Sequence, residues 1–206
     1  MFNPSYTFMS ATSVTSCGPK TDDKGDVFKV IEDFVTNEEF GNFGALPYYL
    51  KNGNGQEIML LRMTNLKEQE EFMETNKLPE IHRPPVLMMP GMYQDYTGFL
   101  VPGVNEHQLP LAHQTLEAGY DVWIASNRPV DKGANFDWAD QGKEDLKEMI
   151  DFIKATTLFN QVDYIGYDSG ATQMIYGMAH NNDYFQKNVG TVAAIGPCTR
   201  MKYTKN

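Results

Sequence analysis

Four short apolar runs stand out along the chain: Val86-Leu87-Met88-Met89, Asp121-Val122-Trp123-Ile124-Ala125-Ser126, Val162-Asp163-Tyr164-Ile165-Gly166 and VGTVAAI, residues 189–195. They are flat in hydrophobicity rather than alternating, as parallel strands covered on both faces are. Helical stripes lie between them. Leu109, Ala112 and Leu116 share one face, and Gly119 is placed to end that helix. Leu146, Met149, Ile150 and Ile153 form an i, i+3, i+4, i+7 set, and Ala171, Met174, Ile175 and Met178 form another. Strand and helix alternating at this spacing predict βαβ units with right-handed crossovers, an α/β fold on a mostly parallel sheet.

Upstream, residues 48–50 and 58–63 read as strands joined by Asn52-Gly53-Asn54-Gly55. Asn and Gly accept positive φ, so this is a hairpin signal. Asp26 is placed to cap a short helix in which Val27, Val30, Ile31 and Phe34 share a face. Residues 64–84 are charged and polar and predict a solvated excursion. Residues 1–25, rich in Ser, Thr, Gly, Pro and Asp, predict an extended arm with no core of its own. Residues 26–206 are then one domain, and there is no internal repeat.

Composition narrows the function classes. The 206 residues suffice for one sizeable core, and 41% hydrophobic with 21% charged residues is the balance of a globular protein. A net charge of −10 disfavours nucleic acid, whose phosphates need a basic face, and equally an anionic membrane surface. No apolar run approaches the ~18 residues of a membrane span, so no transmembrane segment is expected. The start, MFNPSYTFMSATSVTSCGP, has neither a basic n-region nor a continuous apolar h-region, which makes an intracellular location the expectation. Cys17 and Cys198 form no metal-type cluster, and neither metal nor cofactor is expected; a disulfide between them would need an oxidising compartment.

Gly166-Tyr167-Asp168-Ser169-Gly170 carries the candidate chemistry. It follows a predicted strand and opens a predicted helix, the context of the nucleophile elbow G-x-S-x-G. G-x-x-x-G alone is a weak signal, and its place in the chain gives it weight. The glycines serve a sharp turn where strand and helix backbones pass close together. The central residue is Asp168, and Ser169 cannot replace it by slipping one place without throwing the glycines out of register. A carboxylate here has two readings. It can attack carbon and form an ester intermediate. It can also cap the free N–H groups of the helix and match its dipole, with no chemistry at all.

These residues, taken together, resemble the acid lipases, the gastric and lysosomal lipase group of α/β-hydrolases, over roughly residues 30 to 200. Residues 40–63 resemble the family's opening hairpin, with its Asn-Gly or Asp-Gly turn and a strand ending in Arg. PVLMMPGM, residues 85–92, is similar to the strand and oxyanion turn usually written with His-Gly. Ala118-Gly119-Tyr120-Asp121-Val122-Trp123 with Ser126-Asn127-Arg128 resembles the distinctive G-[YF]-D-V-W block followed by N-S-R-G. Phe136-Asp137-Trp138, Asp145-Leu146 and Ile150-Asp151-Phe152-Ile153 are similar to the helix leading into the elbow strand.

The resemblance implies an incomplete α/β-hydrolase-type sheet: a front hairpin plus about four parallel strands with flanking helices, without the lid and last strands. It places the oxyanion-hole donors at the backbone N–H groups of Met92 and Ser169, and the elbow glycines at Gly166 and Gly170. The departures are Asp168 for the elbow serine, Pro90 for the histidine of His-Gly, the missing second residue of N-S-R-G with Pro129 for its glycine, and a chain that stops after 189–195. In the family the lid, triad acid and triad histidine come later. None of His82, His107, His113 and His180 lies where the family keeps its base; all four read as ordinary loop and helix residues. Pro90 removes neither oxyanion donor.

Three functional expectations follow. The first is a catalytically inactive, lipase-like structural subunit of a larger complex, with a protein partner covering the edge strand 189–195, such as a chain supplying the rest of the sheet. An uncovered VGTVAAI edge would be an aggregation hazard. The second is one half of a split ester, lipid or epoxide-type hydrolase, with Asp168 as nucleophile and a histidine from a partner chain. The third is lipid binding without hydrolysis, near Tyr93, Phe99 and Asp168.

Overall fold

The computed structural model describes residues 43–53, 55, 57–65, 71, 74–75, 83–92, 94–101, 109–127 and 138–198. The arm at 1–25, the helix expected at 26–34, Cys17, Asn54, most of the excursion at 64–84, His82, Tyr93, His107, Arg128, Pro129, Phe136 and Asp137 lie outside the described residues.

Six strands form one sheet: β1 (Phe43–Lys51), β2 (Glu57–Asn65), β3 (Pro85–Met89), β4 (Asp121–Ala125), β5 (Val162–Tyr167) and β6 (Val189–Ile195). The helices are α1 (Leu111–Glu117), α2 (Leu146–Thr157), α3 (Ser169–His180) and α4 (Asn182–Asn188), with a 3₁₀ turn at Tyr96–Phe99. A helical turn at Trp138–Asp140 and a π-helix at Gln141–Asp145 lead directly into α2.

The strand order is β1-β2-β4-β3-β5-β6. β1 and β2 are an antiparallel hairpin, and β2 meets β4 antiparallel through Leu60–Arg62 against Trp123–Ala125. The other neighbours, β4–β3, β3–β5 and β5–β6, are all parallel. This is the expected mostly parallel α/β-hydrolase-type sheet with flanking helices; no lid is present among the described residues. The hairpin turn closes as its sequence requires: the Gly55 N–H donates to the Asn52 carbonyl at 2.8 Å, with Gly55 at φ +76°.

Alternation along the strands divides the core in two. Val86, Met88, Val122 and Ile124 face α1 and the 3₁₀ turn, with Ala112, Leu116, Tyr96 and Phe99. Leu87, Met89, Trp123 and Ala125 face the other way, onto Leu146, Met149, Ile150 and Ile153 of α2, Met174 of α3 and Phe185 of α4. α1 begins at Leu111, so Leu109 precedes the helix rather than joining its stripe, and Gly119, at φ +94°, ends it.

The hairpin is pinned to the parallel sheet by a buried clasp. Arg62 of β2 donates from Nε and Nη2 to the two carboxylate oxygens of Asp121 at 2.9 and 2.8 Å. The Trp123 Nε1–H donates to the same carboxylate at 3.1 Å, and the guanidinium carbon lies 4.9 Å from the Trp123 ring centroid. Burial opposes the charge on Arg62, but the Asp121 carboxylate outweighs it and raises the guanidinium pKa. Bidentate geometry and the extra indole donor satisfy both charges, the condition under which a buried pair is tolerated. Asp121 and Trp123 come from the distinctive G-[YF]-D-V-W block and Arg62 from the end of the opening hairpin, and here they hold the sheet together.

β6 ends the sheet. It pairs with β5 on one side, and no strand pairs with its outer edge among the described residues. Val189 is buried, but Thr191, Ala193, Ala194 and Ile195 are exposed.

Candidate functional site

Chain direction across the sheet locates a site before any side chain is considered. From β3 the chain steps to β4 on one side, and β5 and β6 follow on the other. The crevice at the carboxyl ends of β3 and β5 is therefore the switch point where open α/β sheets take ligands. Two segments meet there: the turn after β3, residues 90–94, and the elbow after β5.

The elbow is strained and closely packed. Asp168 has φ +49° and ψ −112°, a conformation that side-chain-bearing residues rarely adopt. Its N–H donates to the Ile195 carbonyl at 2.9 Å, and its carbonyl accepts from the Thr172 N–H at 3.1 Å. A Cβ on Gly166 would stand 2.7 Å from the Ala171 backbone, and one on Gly170 would stand 2.3 Å from the Met89 carbonyl oxygen. Both positions need glycine because strand, turn and helix backbones touch. The Tyr164 hydroxyl, fully buried, donates to the Gly170 carbonyl at 2.7 Å and ties strand to helix; burial holds its pKa well above the usual phenol value.

The Asp168 carboxylate does not cap α3, since none of its oxygens accepts from the helix's first N–H groups. It reaches across the crevice instead, where Oδ2 accepts from the Met92 N–H at 3.1 Å. The structure thus brings two of the sequence-predicted residues into contact. Ser169 is buried at the start of α3. Pro90 and Gly91 are buried, and a Cβ on Gly91 would lie 3.1 Å from Asp168, so the turn packs hard against the elbow.

Residues beyond the motif complete the site. Asn127, two residues past β4, donates from Nδ2 to the carbonyls of Gly91 at 2.6 Å, Gln94 at 3.1 Å and Pro90 at 3.4 Å. Gln94 also closes the turn on itself: its Oε1 accepts from the Gly91 N–H at 3.2 Å. Gln173 and Gln141 lie behind Asn127. Asn127 belonged to a recognised sequence block, but nothing local pointed to its partners. Gln173 carried no such signal: on a helix it falls roughly opposite the Ala171, Met174, Ile175 and Met178 stripe, yet it is buried while Ile175 is exposed.

The described histidines stand elsewhere. His113 stacks on Phe43 at 4.7 Å in the α1-side core, and burial pushes its pKa down to about 4. His180 ends the helix that Asp168 begins, roughly 17 Å along its axis at helical rise, and stacks on Tyr176. Beside the elbow is a hollow of about 450 Å³, lined by Gln94, Phe99, Val101, Leu111, Tyr167 and Ile195 among others. Val101, Leu111, Tyr167 and Ile195 are each exposed by more than a third, so the hollow is open to solvent. An enclosed acyl pocket is what lipid binding would favour, and this hollow is not enclosed. The described residues contain no cluster of His, Cys, Asp and Glu able to hold a metal, and no helix long and apolar enough to cross a membrane.

No family model matches the chain. Lipase 1 of Drosophila melanogaster is 27% identical over 136 residues, which are 60% of this chain and 30% of that protein. Human gastric triacylglycerol lipase is 27% identical over 161 residues, 68% of this chain and 39% of the lipase. The chain therefore spans well under half the length of these curated relatives. Among solved structures, an esterase of Pyrococcus furiosus superposes with a TM-score of 0.55 at 15% identity, covering 81% of this chain and 54% of the esterase. Together these likenesses place the chain in an α/β-hydrolase, lipase-like relationship at low identity and partial coverage.

Proposed function

We propose that this chain is a lipase-like α/β-hydrolase unit that does not hydrolyse esters and serves as a structural or interaction subunit, with a protein partner covering β6. The carrying observation is the hydrogen bond from the Met92 N–H to Asp168 Oδ2 at 3.1 Å. An ester hydrolase aims such a donor at the oxyanion that forms from the substrate carbonyl. Here a carboxylate of the chain itself occupies it, and that charge repels a second developing negative charge. Attack by a carboxylate on a carboxylic ester would also yield a mixed anhydride, a product more reactive than the substrate. Lipid esters are thus poor partners for this elbow. The exposed outer edge of β6, with no charge or proline along it, supports a covering partner.

The same contact favours one second reading. If Asp168 Oδ1 attacked an sp³ carbon, breaking an epoxide's ring C–O bond to leave an alkoxide that takes a proton from water, or expelling halide from a halide carbon, Oδ2 would become the carbonyl oxygen of the resulting ester. Met92 would then stand ready for the oxyanion formed when water attacks that ester. The remaining need is a base, a histidine brought by the partner chain.

Heavy-oxygen labelling separates the two readings. The full chain, purified with whatever it binds, is incubated in H₂¹⁸O with p-nitrophenyl acyl esters and, separately, with styrene oxide. No turnover and no label in the Asp168 peptide is the expected result. Label in the Asp168 carboxylate after epoxide turnover would install the second reading in place of the first.

A further inference from the structure

We propose that Asn127 is a positioning residue that aims the Met92 N–H at the elbow from beyond the end of β4. The Gly91 carbonyl and the Met92 N–H belong to one peptide group, which is planar and trans, so they point in opposite directions. Asn127 Nδ2 holds the oxygen of that group at 2.6 Å, and Asp168 Oδ2 takes its hydrogen at 3.1 Å. Fixing the oxygen fixes the direction of the donor. The second bond of Asn127 Nδ2, to the Gln94 carbonyl at 3.1 Å, anchors the far end of the same turn. A peptide held on both sides is polarised as well as oriented.

Asn127 is itself oriented. Its Oδ1 accepts from Gln173 Nε2 at 3.3 Å, and the same nitrogen donates to Gln141 Oε1 at 2.6 Å. Gln173 lies five residues beyond Asp168 on α3, and Gln141 opens the π-helix before α2. The amide of Asn127 can therefore present only its nitrogen to the turn. Gln173 Oε1 and Gln141 Nε2 are buried with no partner among the described residues. An apolar contact would avoid that cost, so a relay kept in spite of it points to geometry rather than to stability. The relay acts on the backbone donor and is the same whether Asp168 is idle or nucleophilic, so it goes beyond the proposed function.

Site-resolved amide exchange on the ¹⁵N-labelled full chain tests it. Asn127→Ala removes the clamp. Asn127→Asp keeps the acceptor for Gln173 but faces the Gly91 carbonyl with an oxygen. Both should speed exchange of the Met92 amide by roughly tenfold or more, the loss expected for a hydrogen bond to a charged group. Leu87 of β3 and Ile165 of β5 should keep their rates. Gln173→Leu, which leaves Asn127 in place but unoriented, should give a smaller acceleration at Met92 alone. An unchanged Met92 rate would overturn the proposal. So would equal acceleration across β3 and β5, which would make Asn127 a residue of fold stability. If the Asn127 variants do not fold, the Gln173→Leu comparison decides by the same two criteria.

Discussion

His113 is nearly inaccessible on α1, and its low pKa follows from burial, which disfavours the imidazolium. In the unfolded chain the same ring titrates near 6.5. Because the folded value is the lower one, the unfolded state binds more protons between about 4 and 6.5. The stability that neutral His113 provides is complete above that window and is lost as pH falls through it. Wild-type protein should lose about 2 kcal/mol more than His113→Leu between pH 7 and pH 4.5, read from urea midpoints. Parallel curves for the two proteins would remove the assignment. Asp168 gives a different lesson about single residues. Its place at an elbow was legible from G-x-x-x-G between a strand and a helix. Its reach to Met92 was not, because the two are 76 positions apart and the contact depends on how two turns meet. Asn127 was hidden for the same reason: its partners in the turn lie 33 to 37 positions away.

At the scale of elements, the π-helix and α3 cross with almost no space between their backbones. A Cβ on Gly142 would meet the Gln173 carbonyl oxygen at 2.6 Å, and one on Gly177 would meet the Gly142 carbonyl oxygen at 2.6 Å and the Phe185 ring at 2.7 Å. Two of these three obstructions are backbone and the third is the buried Phe185 ring, so a methyl group must push the helices apart. Gly177→Ala should therefore destabilise by about 1–3 kcal/mol in spite of the better helix propensity of alanine. Chemical denaturation showing no loss, or a gain, would mean that the crossing can breathe. The strands of the parallel half were readable to within a residue or so, since each is a continuous apolar run bounded by polar or glycine-rich sequence. Two elements were not. α4 is seven residues long and buries only Phe185 and Asn188, too few to make a stripe. The π-helix differs from α-helix by one residue per hydrogen-bonded ring, i→i+5 against i→i+4, which no hydrophobic pattern over five residues can express.

For the whole molecule, the border of the sheet at β6 is uncovered among the described residues. β6 presents backbone groups and the side chains of Ala193 and Ile195 to solvent. The isolated chain should self-associate as concentration rises, and Ala193→Lys should suppress this with a stability change within about 0.5 kcal/mol. Sedimentation velocity decides: a wild-type chain that stays monomeric at its solubility limit would show that β6 needs no cover. The order of the strands was not written in the hydrophobic pattern, which gives elements but not neighbours. The meeting of β2 and β4 involves only three residue pairs, though the strands lie about 60 positions apart in the chain. That seam has a kinetic meaning. The β3-to-β6 half is assembled from successive crossover units, whereas the hairpin must close a long loop for a short reward. The hairpin should dock last on folding and leave first on unfolding, so Leu60→Ala should speed unfolding far more than it slows folding in a stopped-flow chevron.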